Sequence, residues 1–356
     1  MPANSRISAI QRLREPWGRG PIPSVLSGMF GAVVFVRNAA YDAGARRSAC
    51  IGRPTISVGG LSAGGTGKTP MALLVGRHVH RRGYEVVFLS RGYGRKTKEV
   101  VVSPPNNVDS WETVGDEPAM LHAALPQSWL GVGGDRLRAV SALTPRLSSK
   151  SVFVLDDAFQ HRRLKRDIDI VCLPPDPFID ALLPSGTLRE PLDGLRRAHC
   201  VCLIGTKEET VLLEASRQKI AQRFPKTAVF VLHQIPLGWV NSASGKFQTE
   251  LPLKRPVALC GIARPQRFIF FLKKMSISTS AESIFSDHHE FKDDEIASIA
   301  VRAGSSGIVT TEKDAFRLKS LKLVSCPDIW YLKLDLQFSE SESEELFYRF
   351  IEKALY

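Results

Sequence analysis

Short apolar and β-branched runs alternate with helical stretches from residue 55 onwards. Several runs are apolar throughout, which is typical of strands that helices cover on both faces of a sheet. The candidate strands are Thr55–Val58, Glu85–Ser90, Val100–Ser103, Ser151–Asp156, Ile168–Leu173, His199–Ile204 and Thr227–Leu232. Helical stretches such as Pro70–Arg82 and Glu208–Phe224 separate them. This alternation predicts an α/β fold, a parallel sheet wound with helices.

The pattern changes between residues 234 and 255, where Gly, Ser and Pro are frequent and no long periodicity is present. A smaller α/β unit follows. Its predicted strands are Pro256–Leu259, Gly307–Thr310 and Ile329–Leu334, and its predicted helices are Gln266–Met275, Asp293–Ala303 and Glu342–Ala354. The sequence thus predicts four segments: a basic N-terminal segment (1–50), a main α/β domain (51–233), a linker or β-hairpin (234–255) and a C-terminal α/β domain (256–356).

An apolar stretch between arginines occupies residues 21–36. Its apolar residues recur at helical spacing and continue to Ala40, so the stretch predicts an amphipathic helix. It runs into Arg37 without a clean cleavage site, unlike a signal peptide. Two interpretations stay open: a helix that lies on a membrane surface, and a helix packed on the protein's own core. No apolar run reaches the roughly 18 residues of a membrane span, so we expect none.

The composition narrows the class of protein. Of 356 residues, 44% are hydrophobic and 24% are charged, which excludes a wholly disordered or fibrous chain. The 48 Lys and Arg exceed the 36 Asp and Glu, giving a net charge of +12. Such an excess favours an anionic partner: nucleic acid, anionic lipid or a phosphorylated small molecule.

The most specific motif is Ser-Ala-Gly-Gly-Thr-Gly-Lys-Thr at residues 62–69. It follows a predicted strand and opens a helix, which is the context of a phosphate-binding loop. Its glycines allow a tight turn whose N–H groups point at phosphate oxygens, Lys68 supplies charge to the β- and γ-phosphates, and Thr69 offers a hydroxyl to Mg²⁺. The predicted nucleotide-binding residues are Ser62, Ala63, Gly64, Gly65, Thr66, Gly67, Lys68 and Thr69.

A second motif is the apolar strand that ends in Asp156 and Asp157. Phosphate-loop proteins place a carboxylate beside Mg²⁺ in this way, and both carboxyl ends would meet at one edge of the sheet. Motors, GTPases, transport ATPases and small-molecule kinases share these two motifs, so the motifs alone leave the reaction open.

Further blocks of unusual composition follow other strands. They are Ser-Arg-Gly-Tyr-Gly (90–94), Gly-Asp-Glu-Pro (115–118), Asp-Asp-Ala-Phe-Gln-His (156–161), Leu-Arg-Glu-Pro (188–191), Asp-His-His (287–289) and Thr-Glu-Lys-Asp (311–314). With this ordered set the chain resembles the tetraacyldisaccharide 4'-kinase family, the lipid A 4'-kinases of Gram-negative bacteria. The resemblance extends from about Val25 to Leu334.

The resemblance implies a phosphotransferase that uses ATP and Mg²⁺. Its substrate would be a tetraacylated glucosamine disaccharide 1-phosphate, phosphorylated on the 4'-hydroxyl to give lipid IVA. By resemblance, Asp116 is the base and His288 its partner, assisted by Lys68, Asp156 and Asp157. The implied metal ligands are Thr69, Asp157 and Glu190, and the implied substrate-binding residues are Arg91, Gln160, His161 and Arg189. From the residues alone, a helix N-cap explains Asp116 as well.

The resemblance also implies a place in the cell: the cytoplasmic face of the bacterial inner membrane, where the protein would be peripheral and bound to an anionic surface. It implies neither a nucleic-acid partner nor an obligate protein partner. A partitioning P-loop ATPase is the first alternative, but its loop often carries Lys where Ala63 stands. A nucleic-acid-binding protein is the second, but no basic stripe is interleaved with aromatic residues.

Overall fold

The computed structural model describes residues 21–107, 109–319, 321 and 328–355. In this part of the chain thirteen strands form one sheet, with helices on its faces, which confirms the predicted α/β fold. The helices are α1 Pro21–Asp42, α2 Lys68–Arg81, α3 Trp111–Val114, α4 Asp116–Ala124, α5 Arg136–Leu143, α6 Thr210–Arg223, α7 Pro265–Lys274, α8 Asp293–Ala303, α9 Glu312–Leu318 and α10 Ser341–Glu352.

The strands begin and end within a few residues of the predicted positions where the pattern was clear. They are β1 Thr55–Gly60, β2 Glu85–Ser90, β3 Val101–Ser103, β4 Trp129–Val132, β5 Ser151–Asp156, β6 Ile168–Leu173, β7 Cys200–Gly205, β8 Ala228–Asn241, β9 Phe247–Gln248, β10 Val257–Cys260, β11 Ala281–Ile284, β12 Ile308–Thr311 and β13 Ile329–Phe338. Strands β4 and β11 were not predicted; each is four residues long and pairs with a strand distant in sequence.

Two parallel blocks make up the sheet. The first has the order β8-β7-β6-β1-β5-β2-β4, with β3 antiparallel at its edge, and the second has the order β11-β10-β12-β13. The long strands β8 and β13 pair antiparallel and join the blocks, from Trp330 opposite Asn241 to Phe338 opposite Leu232. Strand β8 thus continues into the predicted linker and turns back to pair with β9. The domain boundaries stay a prediction.

The core explains why the central strands are apolar throughout. Every residue of β1, β5, β6 and β7 is buried, because helices cover both faces of the first block. The last helix, α10, returns to this block: Phe347 lies in the same core cluster as Ile56, and its ring contacts that of Phe230 at 5.3 Å. The phosphate loop therefore rests on the largest core of the molecule.

Helix α1 exposes its apolar side. Ile22, Val25, Met29, Val33 and Val36 recur three or four residues apart, and each is more than 60% exposed. The opposite side of the helix holds the residues that contact the protein, and most of those are small or polar. They are Ser27, which donates to the Leu182 carbonyl, Gly31 beside Leu182, buried Val34, and Asn38, which donates to Glu190.

This arrangement corrects one expectation from the sequence. Residues Ile22–Asp42 are long and apolar enough to cross a membrane by length and composition, so the prediction of no such segment was wrong. The apolar character resumes after Arg37 with Ala39, Ala40 and Tyr41, and a single arginine does not end it. Only 6% of that window is buried, which disfavours the interpretation of a helix packed on the core. The arginines at 6, 12, 14 and 19 lie outside the described residues.

Candidate active site

The phosphate loop joins β1 to α2. Gly67 has φ +81°, a left-handed conformation that favours glycine, and a Cβ there would lie 2.8 Å from the Ile204 side chain. Helix α2 begins at the next residue, Lys68, so its free N–H groups and positive dipole end point at the loop. The Lys68 ammonium donates to the Gly64 carbonyl at 3.2 Å. The loop thus combines N–H groups that can bind an anion with the Lys68 ammonium, which folds back over the loop.

Asp156 and Asp157 lie directly beside this loop. The Lys68 Nζ is 3.8 Å from Asp157 Oδ1, and the Arg189 guanidinium donates to both Asp157 oxygens at 2.9 and 3.0 Å. Burial alone would raise the pKa of Asp157, but the charges of Lys68 and Arg189 outweigh it and lower that pKa below its ordinary value. Asp157 is thus an ionised carboxylate at the loop, held with φ +47°.

The neighbouring Asp156 is different. It is buried, and burial, with the charges of Asp157 and Glu117, raises its pKa to about 7. Its Oδ1 atom has no hydrogen-bond partner within the described residues. A buried carboxyl oxygen without a donor is costly unless a cation or proton satisfies it.

Glu190 and Gln160 form a second layer of the site. The Gln160 side-chain amide donates to the Gly60 carbonyl at 2.9 Å and to Glu190 Oε1 at 2.7 Å. Glu190 is fully buried, and its other oxygen accepts from Asn38 at 3.1 Å and Arg197 at 2.8 Å. The Glu190 carboxylate is therefore tied to the end of β1, to helix α1 and to an arginine.

A second acidic cluster lies where α4 of the first block meets α9 of the second. Asp116 is 2% exposed, and its Oδ2 is 3.2 Å from His288 Nδ1. The Arg317 Nε donates to the same oxygen at 2.9 Å, and Arg317 Nη2 is also bonded to it. Burial raises the pKa of Asp116, but the hydrogen bonds from His288 and Arg317 outweigh it and lower that pKa to about 2.

The two clusters lie at the same edge of the sheet. Glu117 follows Asp116, and its charge acts on Asp156 at the end of β5. The loop after β2 contacts the second cluster, because Gly94 lies close to His288 and the Tyr93 ring meets the His288 ring edge-on, with centroids 4.9 Å apart. The phosphate loop, which follows β1, and the Asp116 cluster therefore both lie at the carboxyl ends of the first-block strands.

The structure separates the two adjacent histidines. His288 contacts Asp116 and has φ +58°, whereas the His289 Nε2 is 2.9 Å from Glu295 at the start of α8 and its ring stacks on Phe285. His289 therefore has a structural explanation, whereas the strained backbone of His288 is characteristic of a functional position.

Two further predicted residues lie at the rim of the first cluster. Arg91 follows β2 and is exposed, and its charge reaches the buried Arg136. His161 is partly buried, and burial with the charges of Arg136 and Arg166 lowers its pKa to about 4. His161 is thus neutral at physiological pH, and its Nε2 has no hydrogen-bond partner within the described residues.

The donor set fits Mg²⁺. No group of three His, Cys, Asp or Glu side chains that could hold a metal exists among the described residues. Mg²⁺ in ATP sites needs only one or two carboxylates, because phosphates and waters supply the other oxygens. The hydroxyl of Thr69 and the carboxylates at 156 and 157 are hard oxygen donors beside the loop, and the unpartnered Asp156 oxygen suits a cation nearby.

Sequence reasoning missed three cations of the site: Arg317, Lys313 as a partner of His288, and Arg136. Lys313 donates to Glu117 at 2.6 Å and lies 3.2 Å from His288 Nε2. Arg317 lies one turn after Asp314 in α9, three residues beyond the end of the Thr-Glu-Lys-Asp motif at 311–314. Arg136 opens α5 beside Asp156 without a surrounding motif.

The comparisons with known proteins agree with this geometry. The family model for Tetraacyldisaccharide-1-P 4'-kinase matches residues 22–353. The "Tetraacyldisaccharide 4'-kinase" of Chlorobaculum tepidum is 34% identical and covers 89% of this chain and 93% of its own length. That of Anaeromyxobacter sp. is 35% identical and covers 94% of each.

A solved structure is similar throughout as well. The crystal structure of LpxK from Aquifex aeolicus in complex with ATP superposes with a TM-score of 0.74 at 28% sequence identity. The alignment covers 93% of this chain and 98% of that one. The fold described above is therefore that of a protein crystallised with ATP.

Proposed function

The chain belongs to the tetraacyldisaccharide 4'-kinase family, and on that premise we propose how its residues divide the work of the reaction. It is a kinase that uses ATP with Mg²⁺ to phosphorylate the lipid A precursor at the 4' position. The observation that carries the proposal is that the phosphate loop and the buried carboxylate of Asp116 lie at the same edge of the sheet, with the charge of Glu117 acting on Asp156 between them.

The loop at residues 62–69 holds the ATP phosphates. Its N–H groups and the start of α2 bind the β- and γ-phosphates, and Lys68 neutralises the charge that spreads over the transferred group. Lys68 now rests on the Gly64 carbonyl and near Asp157, and both contacts keep it at the mouth of the loop. Phosphoryl transfer depends chiefly on such positioning and charge stabilisation.

Thr69, Asp157 and Glu190 would hold Mg²⁺, with Asp156 behind them. When bound, the metal would neutralise phosphate oxygens and orient the γ-phosphate. Two observations support a cation here: the carboxylates are hard oxygen ligands beside the loop, and the Asp156 Oδ1 has no hydrogen-bond partner within the described residues. Arg189 and Arg197 hold the Asp157 and Glu190 carboxylates in place.

Asp116 takes the proton of the attacking 4'-hydroxyl, and His288 assists it. A base must be ionised at the working pH and within reach of the hydroxyl. The low pKa of Asp116 supports the first condition, and its place at the same edge of the sheet as the phosphate loop supports the second. His288, from the second block, brings a ring nitrogen to 3.2 Å from the same carboxylate.

The remaining predicted residues contact the phosphorylated sugar. Arg91 is exposed at the rim and suits a substrate phosphate, to which arginine donates bidentately. Arg189 and Gln160 lie beside the phosphate loop, where they hold the Asp157 and Glu190 carboxylates in place, and His161 follows Gln160. These four residues would join glycolipid binding to the metal site.

Membrane attachment through α1 completes the proposal. A glycolipid acceptor resides in a bilayer, and the exposed apolar side of α1 fits the boundary between headgroups and acyl chains. ATP is supplied in the cytoplasm, which supports the cytoplasmic face of the inner membrane, where anionic lipid meets the positive net charge. No obligate protein partner is needed for this arrangement.

The purified protein with Mg·ATP and the tetraacyldisaccharide 1-phosphate in mixed micelles tests the proposal. We expect a product with one added phosphate, located at the 4' position by mass spectrometry. A deacylated disaccharide 1-phosphate measured in parallel separates sugar recognition from attachment to the lipid surface. The absence of product across several detergents and lipid compositions would overturn the proposed function.

A further inference from the structure

Arg317 is the most deeply buried charged group that contacts Asp116. Its relative exposure is 3%, and it belongs to α9, a helix of the second block, whereas Asp116 opens α4 of the first. A buried guanidinium is costly unless several acceptors satisfy it. Its place and its contacts therefore call for an explanation beyond general stability.

Residues of the second block hold the Arg317 guanidinium on the side away from Asp116. Arg317 Nη1 donates to Asp314 Oδ1 at 3.2 Å and to the Gly261 carbonyl at 3.2 Å. Asp314 is itself fully buried, and its other oxygen accepts from the Gly261 N–H at 2.9 Å and the Thr311 hydroxyl at 2.8 Å. Because both oxygens of Asp314 are hydrogen-bonded, Asp314 holds the Arg317 guanidinium in one orientation, with Nε and Nη2 toward Asp116.

That edge contacts only one of the two Asp116 oxygens. Arg317 Nε, Arg317 Nη2, His288 Nδ1 and the more distant Lys313 Nζ all approach Oδ2, at distances up to 3.9 Å. No contact of Asp116 Oδ1 with a polar side-chain partner is found in the described part of the chain. The carboxylate is therefore held by one oxygen, and the other is left to accept.

His288 lies among the same groups. Lys313 Nζ is 3.2 Å from His288 Nε2, and Arg317 Nη2 is 3.2 Å from His288 Nδ1, the nitrogen that also lies 3.2 Å from Asp116 Oδ2. Lys313 and Arg317, one turn apart on α9, are therefore both in contact with the pair formed by Asp116 and His288.

We propose that Arg317 is a positioning residue for phosphoryl transfer, which clamps Asp116 through Oδ2 so that Oδ1 faces the sugar hydroxyl. This inference rests on the proposed role of Asp116 as the base. It also makes the base dependent on the contact between the two blocks, because the carboxylate is aligned only when α9 is docked on α4. The charged groups around Asp116 are Arg317, Lys313 and His288, with Glu117 and Asp287 held by Lys313.

The test compares Arg317→Ala and Arg317→Lys with wild type in the transfer assay, with kcat, the KM for ATP and the pH dependence of kcat/KM measured for each. Arg317→Ala should lower kcat about 100-fold, the lower range of a positioned general base, while the KM for ATP changes less than about threefold. The acidic limb of the pH profile should move to higher pH, since the carboxylate loses its cation. Millimolar guanidinium should restore part of the rate.

Arg267→Ala is the matched control. Arg267 is also a largely buried arginine of the second block that bonds to the first, through Nη1 to Gln234 at 2.9 Å and through Nη2 to Glu209 at 3.3 Å. It should lower the unfolding midpoint while leaving the pH profile of the folded protein unchanged and insensitive to guanidinium. Rates are expressed per folded molecule, so loss of folded protein is not counted as loss of catalysis.

Each outcome decides the matter. An unshifted pH profile with kcat within threefold of wild type in Arg317→Ala would overturn the inference, as would a rate loss that equals the Arg267→Ala loss. If Arg317→Ala is not recovered folded, Arg317→Lys decides, because lysine lacks the planar fork that donates twice to Asp116 and once to Asp314: a wild-type kcat refutes the inference, and a lowered kcat with a shifted profile supports it. Full activity of Asp116→Asn would instead refute the proposed function.

Discussion

Replacing Met29 and Val33 with serine should weaken membrane binding without altering the fold. Both side chains lie on the exposed side of α1, 62% and 68% exposed, and neither belongs to a core cluster. Full burial of such a side chain contributes about 1.5–3 kcal/mol. About two thirds of that area is available to a bilayer at each position, so the pair contributes about 2–4 kcal/mol, or about 30- to 1000-fold in partitioning.

The assay is co-sedimentation with vesicles that contain anionic lipid. The matched control replaces Val211 and Val301 with serine. These valines are 85% and 83% exposed on α6 and α8, so their replacement removes a similar apolar area from a surface outside α1. The Met29/Val33 variant should leave the vesicle pellet while the control stays bound, and both should phosphorylate a deacylated acceptor at the same rate. Equal binding of the two variants would refute the role given to α1.

Four other outcomes follow from the site. Lys68→Met should lower transfer at least about 100-fold, measured at saturating ATP, since it removes a charge at the transferred group. Gly67→Ala should weaken nucleotide binding, because it places a Cβ near Ile204 in a left-handed turn; ATP titration checks it. Removing Mg²⁺ with a chelator should abolish transfer, and added Mg²⁺ should restore it. The pKa of Asp116 is lowered from 3.8 to about 2, which contributes about 2 kcal/mol to the free energy of unfolding above pH 4. That contribution is lost as the pH falls through about 2. In urea unfolding, the part of the difference between wild type and Asp116→Asn that depends on pH should therefore shrink to about half by pH 3.

The fold was predictable where burial leaves a local mark. Strands covered on both faces must be apolar at every position, so β1, β5, β6 and β7 were evident from composition alone. The phosphate loop was also predictable, because its tight turn requires glycine at fixed positions and few other sequences have glycines so spaced. Short strands such as β4 and β11 were missed, because their identity depends on neighbours distant in sequence.

The Asp116 cluster shows what the sequence could not supply. Arg317 lies 201 residues from Asp116, and only the docking of α9 on α4 brings them together. A single arginine in a helix carries no motif, and its burial depends on acceptors from Gly261 and Asp314. Helix α1 was ambiguous for the same reason, since its apolar spacing fits a core or a bilayer equally and only the exposed fractions distinguish them.

The most direct test of the account is the rate of phosphate transfer by Asp116→Asn, with ATP affinity measured on the same preparation. The substitution keeps the shape of the side chain and removes its ability to take a proton. The account predicts a kcat lower by about 10²–10⁴ and an ATP dissociation constant within about threefold of wild type. A kcat above one tenth of the wild-type value, with ATP still bound, would contradict it.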